Sequence, residues 1–237
     1  MTPWYCVFRQ EDLRFFVSMD SLETLLAPIR HSPRLVEAVD LLQEQVRHER
    51  ERRVSFYRDM TPEQKVEFID GEVILHSPAR KGHLDSTKWL LQLLNAHVSV
   101  NGLGTVMSEK CLCVFPRNDY EPDIVFFGLE KADTLSSETL KFPVPDFVVE
   151  VLSESTKERD RGVKFEDYAA HGVREYWIVD CDASVIEQYR LKGDHFELVH
   201  LSSDGELRSD VIDGFSMPVA AAFDEEENLK ILRRLLD

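Results

Sequence analysis

Between Phe147 and Leu152 the chain sets five apolar side chains around one carboxylate, in the order Phe-Val-Val-Glu-Val-Leu. A run without polar alternation predicts a strand buried on both faces. Glu150 is the exception. Without partners a buried carboxylate costs on the order of several kcal/mol, so Glu150 is expected to face a cation or hydrogen-bond donors. Ser155 with Glu158 three positions later has the form of a capping box. Asp160, Lys164 and Tyr168 then recur at four-residue spacing on one helix face, and Gly172 marks the helix end. A second strand is predicted over Val173–Asp180. Pro143 to Asp180 therefore reads as a strand–helix–strand unit with an acid at its centre.

The flanking pattern is helical before this unit and largely extended after it. Asp20 and Glu23 can cap a short helix carrying Leu22, Leu25 and Leu26, and Ser32-Pro33 opens a longer one. Its stripe of Leu35, Val39, Leu42 and Val46 is expected to be covered, by the chain's own domain or by a partner helix or second copy. Thr61-Pro-Glu-Gln64 predicts a further helix of about two turns. Asp70-Gly71 between apolar residues predicts a hairpin over 67–75. A buried helix is expected from Gly82 to His97, with His83 near its first turn. One strand follows over Thr105–Phe115, and another over Glu121–Phe127 with Asp123 at its mouth. Segments 184–191 and 195–202 read as a hairpin, and 219–237 ends in an amphipathic helix.

With 237 residues, the chain can form one large domain or a core with an extension. No apolar run approaches a membrane span and no signal-peptide pattern is present, which predicts a cytoplasmic protein. Four cysteines, Cys6, Cys111, Cys113 and Cys181, form no CxxC pair and are read as free thiols in a reducing compartment. A net charge of −16 argues against broad affinity for polyanions, yet acids gathered for a divalent metal would themselves add to that count. The run Arg47, Arg50, Arg52, Arg53 and Arg58 is read as a solvated helix face.

Three residues form the candidate chemistry. Asp123 and Glu150, on two strands, suit a magnesium ion, which takes oxygen ligands and keeps several waters. Lys164 on the following helix adds a compact positive charge for a phosphate. Each also has a plainer reading. Asp123 after Pro122 can be a strand-start aspartate, and Lys164 can be an i,i+4 partner of Asp160 worth a few tenths of a kcal/mol. Glu67 can pair within the hairpin, and His83 can be a satisfied helix-start histidine.

The segments EPDIVFF, VPDFVVEVLSEST and DRGVKFEDYAAHGVREYWIVD, with VEFIDGEVI and a histidine upstream, resemble the Uma-two family of restriction endonucleases within the PD-(D/E)xK nuclease superfamily. The resemblance spans about residues 61–215. It implies a restriction-endonuclease-like α/β core, a mixed central sheet flanked by helices, with residues 1–60 as a helical extension and 216–237 as a C-terminal helical segment. It carries ligation of Mg2+ or Mn2+ onto Asp123 and Glu150. Leu152 stands where the superfamily pattern usually has lysine, so the resemblance points to Lys164 as the substitute. It also points to Glu67 as the acid before the sheet and to His83 as a neighbour of the site. The implied activity is metal-dependent hydrolysis of DNA phosphodiester bonds. The oligomeric state stays open, and a homodimer would suit the cutting of both strands, which commonly takes two sites. Two other readings stand beside it: a nuclease-fold protein that binds or regulates without cutting, and an interaction module that works through residues 1–60.

Overall fold

Helix α1, Leu22–Arg30, and helix α2, Leu35–Asp59, open the part of the chain that the computed structural model describes, residues 22–61 and 63–236. The described residues divide into two units inside α2, one ending at Gln45 and the other beginning at Val46. The predicted cap Asp20, Cys6 and Pro62 lie outside the described residues. Ser32 lies three residues before α2, its Oγ accepting from the Arg34 amide at 3.1 Å. The stripe residues Leu35, Val39, Leu42 and Val46 each remain between 37% and 48% exposed, so the described residues of this chain do not themselves cover the face.

In the second unit the C-terminal part of α2 is tied down by polar contacts. Arg53 and Tyr57 both donate to buried Asp119, at 2.7 and 2.9 Å, and Arg117 pairs with Glu49 at 2.9 Å. The arginine run is therefore not uniformly solvated. Beyond Asp59 the chain makes a turn at 63–64 instead of the expected helix. The reason is that extended pairing resumes almost at once, in strands β1, Val66–Ile69, and β2, Glu72–Leu75. Asp70 (φ 51°) and Gly71 (φ 82°) are both left-handed, as a two-residue hairpin of this twist requires. Helix α3, Lys81–Asn101, ends at Gly102 in the left-handed region.

The single strand expected over Thr105–Phe115 is two strands in two sheets, β3 at Gly104–Ser108 and β4 at Leu112–Val114. Glu109 and Lys110 turn the chain between them with φ of 48° and 49°. Then come β5 (Asp119–Tyr120), β6 (Ile124–Gly128), α4 (Leu129–Ala132), β7 (Lys141–Phe142) and β8 (Phe147–Val151). The helix after β8 is also in two pieces, α5 at Lys157–Asp160 and α6 at Val163–Ala170. It starts after Thr156, not at the Ser155 cap, and breaks at Gly162, where a Cβ would lie 2.7 Å from the Glu158 carbonyl oxygen. Strands β9 (Glu175–Asp180), β10 (Val185–Lys192), β11 (His195–Ser202), β12 (Glu206–Arg208) and β13 (Ser216–Pro218) follow. A 3-10 turn at Val219–Ala222 leads into α7, Glu225–Leu236.

The central sheet has six strands in the order β11-β10-β9-β8-β6-β3, mixed because β8 and β9 run parallel. Parallel neighbours need a crossover, and α5–α6 supply it. A second sheet is ordered β2-β1-β5-β4-β7. Side chains of β8 alternate between two layers. Phe147, Val149 and Val151 join Leu90, Leu93 and Leu94 of α3 and Ile231 of α7. Val148 faces the other way, with Tyr168 and Ala169 of α6 and Cys113 and Tyr120 of the second sheet. Alternation sends Glu150 to that second layer. In β6 the same rule sends Val125 and Phe127 there, and Asp123 with them. Both acids thus belong to the layer between the two sheets.

Candidate active site

Glu150 reaches this layer from β8, and α6 brings Lys164 over it. The Lys164 Nζ lies 3.0 Å from Glu150 Oε1, 2.9 Å from Glu67 Oε1 and 3.4 Å from Asp160 Oδ1. The Tyr168 hydroxyl also donates to Glu150 Oε1, at 2.8 Å. Glu67 arrives from β1 of the second sheet. It is fixed by His76 Nε2 at 2.9 Å and by the Glu121 amide at 3.0 Å. The Lys164 side chain is 1% exposed. One buried ammonium thus serves three carboxylates.

That imbalance sets the protonation states. Burial pushes Glu150 up, Lys164 only partly offsets it, and repulsion from Asp160, Asp123 and Glu67 takes it to about 8. Glu150 therefore carries its proton at neutral pH. Burial also opposes ionisation of Glu67, but Lys164 and His76 overcome it and hold Glu67 down at about 2. Asp160 is raised by burial, and neither of its carboxylate oxygens has a hydrogen-bond partner. Burial works against the charge on Lys164 as well, yet Glu150, Glu67 and Asp160 hold its pKa well above the ordinary lysine value.

Asp123 stands just before β6. The pairing of Ile124 with Val149 carries it to the strand end beside Glu150. Its Oδ2 accepts from the Val151 amide at 2.8 Å, and its Oδ1 accepts from Lys65 Nζ at 2.8 Å. His83 Nε2, from the first turn of α3, lies 3.4 Å from the same oxygen. Burial opposes ionisation, but His83 and Lys65 outweigh it and hold Asp123 below the usual carboxylate range. The His83 Nδ1 is buried with no hydrogen-bond partner.

The structure gathers the sequence candidates in two groups, Glu67, Glu150 and Lys164 joined through the Lys164 ammonium and Asp123 with His83, which the pairing of β6 with β8 sets side by side. Leu152 packs in the apolar part and contributes no charge. Sequence reasoning missed Lys65 and His76. Both depend on hairpin register, with the His76 amide donating to the Lys65 carbonyl at 3.1 Å. The readable signal for Lys65 was its position two residues before Glu67, which puts both on one strand face.

The donor set suits a hard divalent cation. Among the described residues no three His, Cys, Asp or Glu side chains form a ready metal cage. Magnesium does not require one, because it commonly binds through one or two carboxylates and keeps its waters. Asp123 and Glu150 provide such a pair. The Lys164 and Tyr168 bonds both fall on Glu150 Oε1, leaving Oε2 outside them. A positive ion beside Glu150 would also reverse the repulsion that keeps it protonated.

A family model described as "Uma2: Putative restriction endonuclease" matches residues 53–220. Among solved structures, the chain is similar to that of a "putative nuclease belonging to DUF820" from Anabaena variabilis, with a TM-score of 0.61 and 18% identity. The similarity covers 75% of this chain and 96% of that one, and at this identity it bears on the fold alone. No curated protein matches the chain.

Proposed function

The chain belongs to the Uma2 family of restriction-endonuclease-like proteins, and from that premise we propose that it is a metal-dependent endonuclease hydrolysing DNA phosphodiester bonds. One observation carries the reading. Asp123 and Glu150 stand at adjoining strand ends in the layer between the sheets, and both are within the influence of Lys65. In this reading they hold Mg2+ or Mn2+. When bound, such an ion would supply positive charge that acidifies water and offsets charge growing on the phosphate. A water oxygen then bonds to phosphorus, the P–O bond to one sugar oxygen breaks, and that oxygen leaves with a proton. The products are a phosphomonoester and an alcohol.

The chain's own residues divide the remaining work. Lys164 and Tyr168 orient Glu150, and His76 and the Glu121 amide fix Glu67 so that Glu67 holds Lys164. The Val151 amide and His83 set the direction of Asp123. Cys111 and Cys113, both free and buried, favour a reducing compartment such as the cytoplasm. Among the described residues no helix is long and apolar enough to cross a membrane. Cutting both strands takes two sites, so a pair of copies is the expected working form.

A second reading, a nuclease fold that binds DNA without cutting it, draws on Leu152 and on the enclosure of Lys164 among three acids. A cleavage assay separates the two. Supercoiled, linear, branched and single-stranded DNA are incubated with the protein and Mg2+ or Mn2+, with Asp123→Asn as the control. The wild type should cut at least one form, and the variant should be slower by about 100-fold or more. If the folded wild type cuts none of these forms with either ion, the binding reading stands instead.

A further inference from the structure

Lys164 is badly placed to meet a substrate. Three carboxylates, from Glu67, Glu150 and Asp160, surround the Lys164 ammonium within ion-pair distance. Its 1% exposure leaves no face open to solvent. An anionic phosphate arriving at this site would have to displace a carboxylate from a buried ion pair to reach it. Lys164 is a positioning residue, holding the acids.

A second lysine in the site has the opposite character. Lys65 Nζ pairs with Asp123 Oδ1 at 2.8 Å, its one side-chain partner among the described residues, while its side chain stays 25% exposed. Two of its three N–H donors therefore remain for another acceptor. Its backbone is fixed by the hairpin, through the bond from the His76 amide to its carbonyl, so the ammonium has a defined origin and a short reach. Of the cations in the layer, it is the one that touches a candidate metal ligand and solvent at once.

We propose that Lys65, not Lys164, is the catalytic lysine, donating from its ammonium to a non-bridging oxygen of the scissile phosphate. This inference rests on the endonuclease reading and adds to it a substrate contact. The bonds made and broken are those of hydrolysis given above. Lys65 keeps its proton throughout and acts by opposing the negative charge that grows on the phosphate oxygens. It takes over the duty that Leu152 cannot perform, from a different strand.

The test compares Lys65→Met and Lys65→Arg with the wild type in the full chain, using two readouts. One is single-turnover cleavage of the DNA form that the wild type cuts. The other is the salt dependence of binding a fluorescein-labelled copy of that DNA in EDTA, where no cleavage occurs. Lys65→Met should cut about 100-fold more slowly, and its slope of log affinity against log salt should shrink by about one, as for one lost phosphate contact. Lys65→Arg should recover most of both. Lys65→Gln can still donate to Asp123 and keeps the test decisive if the methionine variant does not fold; it should show the same two losses. A wild type that cuts nothing sinks the endonuclease reading and the catalytic role together. A wild type that cuts, beside a folded Lys65→Met or Lys65→Gln that cuts equally or binds with an unchanged salt slope, sinks the Lys65 assignment alone.

Discussion

Lys164→Met should bring the protein close to unfolding. Methionine fills most of the same volume, so the effect is electrostatic and not a matter of packing. Removing the cation strands the ionised Glu67 beside Asp160 and Glu150 in a layer closed to water. Breaking a buried ion pair by deleting one partner costs about 3–5 kcal/mol, a large part of the roughly 5–15 kcal/mol that holds a typical domain folded. Urea titration followed by circular dichroism measures it directly. Adding Glu67→Gln to Lys164→Met should recover part of the loss, because the two sites share one interaction. An unchanged midpoint in the single variant would mean that Lys164 is not the charge balancing these acids. Where the midpoint falls as expected, loss of cleavage in Lys164→Met says nothing about a direct role.

Glu150→Gln should do the reverse, ending cleavage while raising the stability of the metal-free protein at alkaline pH. With its pKa raised to about 8, Glu150 holds a proton in the folded state that it has released in the unfolded chain above about 4.5. Between those two values the native state binds more protons, so stability falls as pH rises, by up to about 1.4 kcal/mol per pH unit. Glu67 has the opposite sign. Its stabilising effect is present above the ordinary glutamate value and is lost as pH drops toward about 2. The wild type should therefore lose melting temperature from pH 5 to pH 8, and Glu150→Gln should lose less. Glu175, a buried acid with a raised value, titrates in both proteins, so the difference reports Glu150 together with Asp160, which repels it. Parallel curves would show that Glu150 is not the proton carrier.

Much of this arrangement could be read from the chain. The apolar run at Phe147–Val151 with a lone acid, the Asp70-Gly71 turn and the buried stripe of α3 each have a local signature, and each forms where that signature falls. The spacing of Asp160, Lys164 and Tyr168 also survives, although the helix breaks at Gly162. What was not legible depended on long-range pairing. Glu109 and Lys110 take left-handed backbone with no glycine to announce it, so one strand was expected where the chain changes sheets. Thr61–Gln64 has a helix-start pattern, but strand pairing from Val66 overrides it. Lys65 and His76 are ordinary polar residues until the hairpin sets them beside Asp123 and Glu67.

The central claim is that Asp123 and Glu150 together hold a divalent cation. Calorimetric titration of Mn2+ into the metal-free protein tests it most directly, run for the wild type and Glu150→Gln in two buffers of different ionisation heat. The wild type should bind one ion with release of a proton, since Glu150 must ionise to become a ligand, and Glu150→Gln should bind far more weakly with no proton release. Equal binding by both proteins, or binding by the wild type with no proton released, would contradict the account.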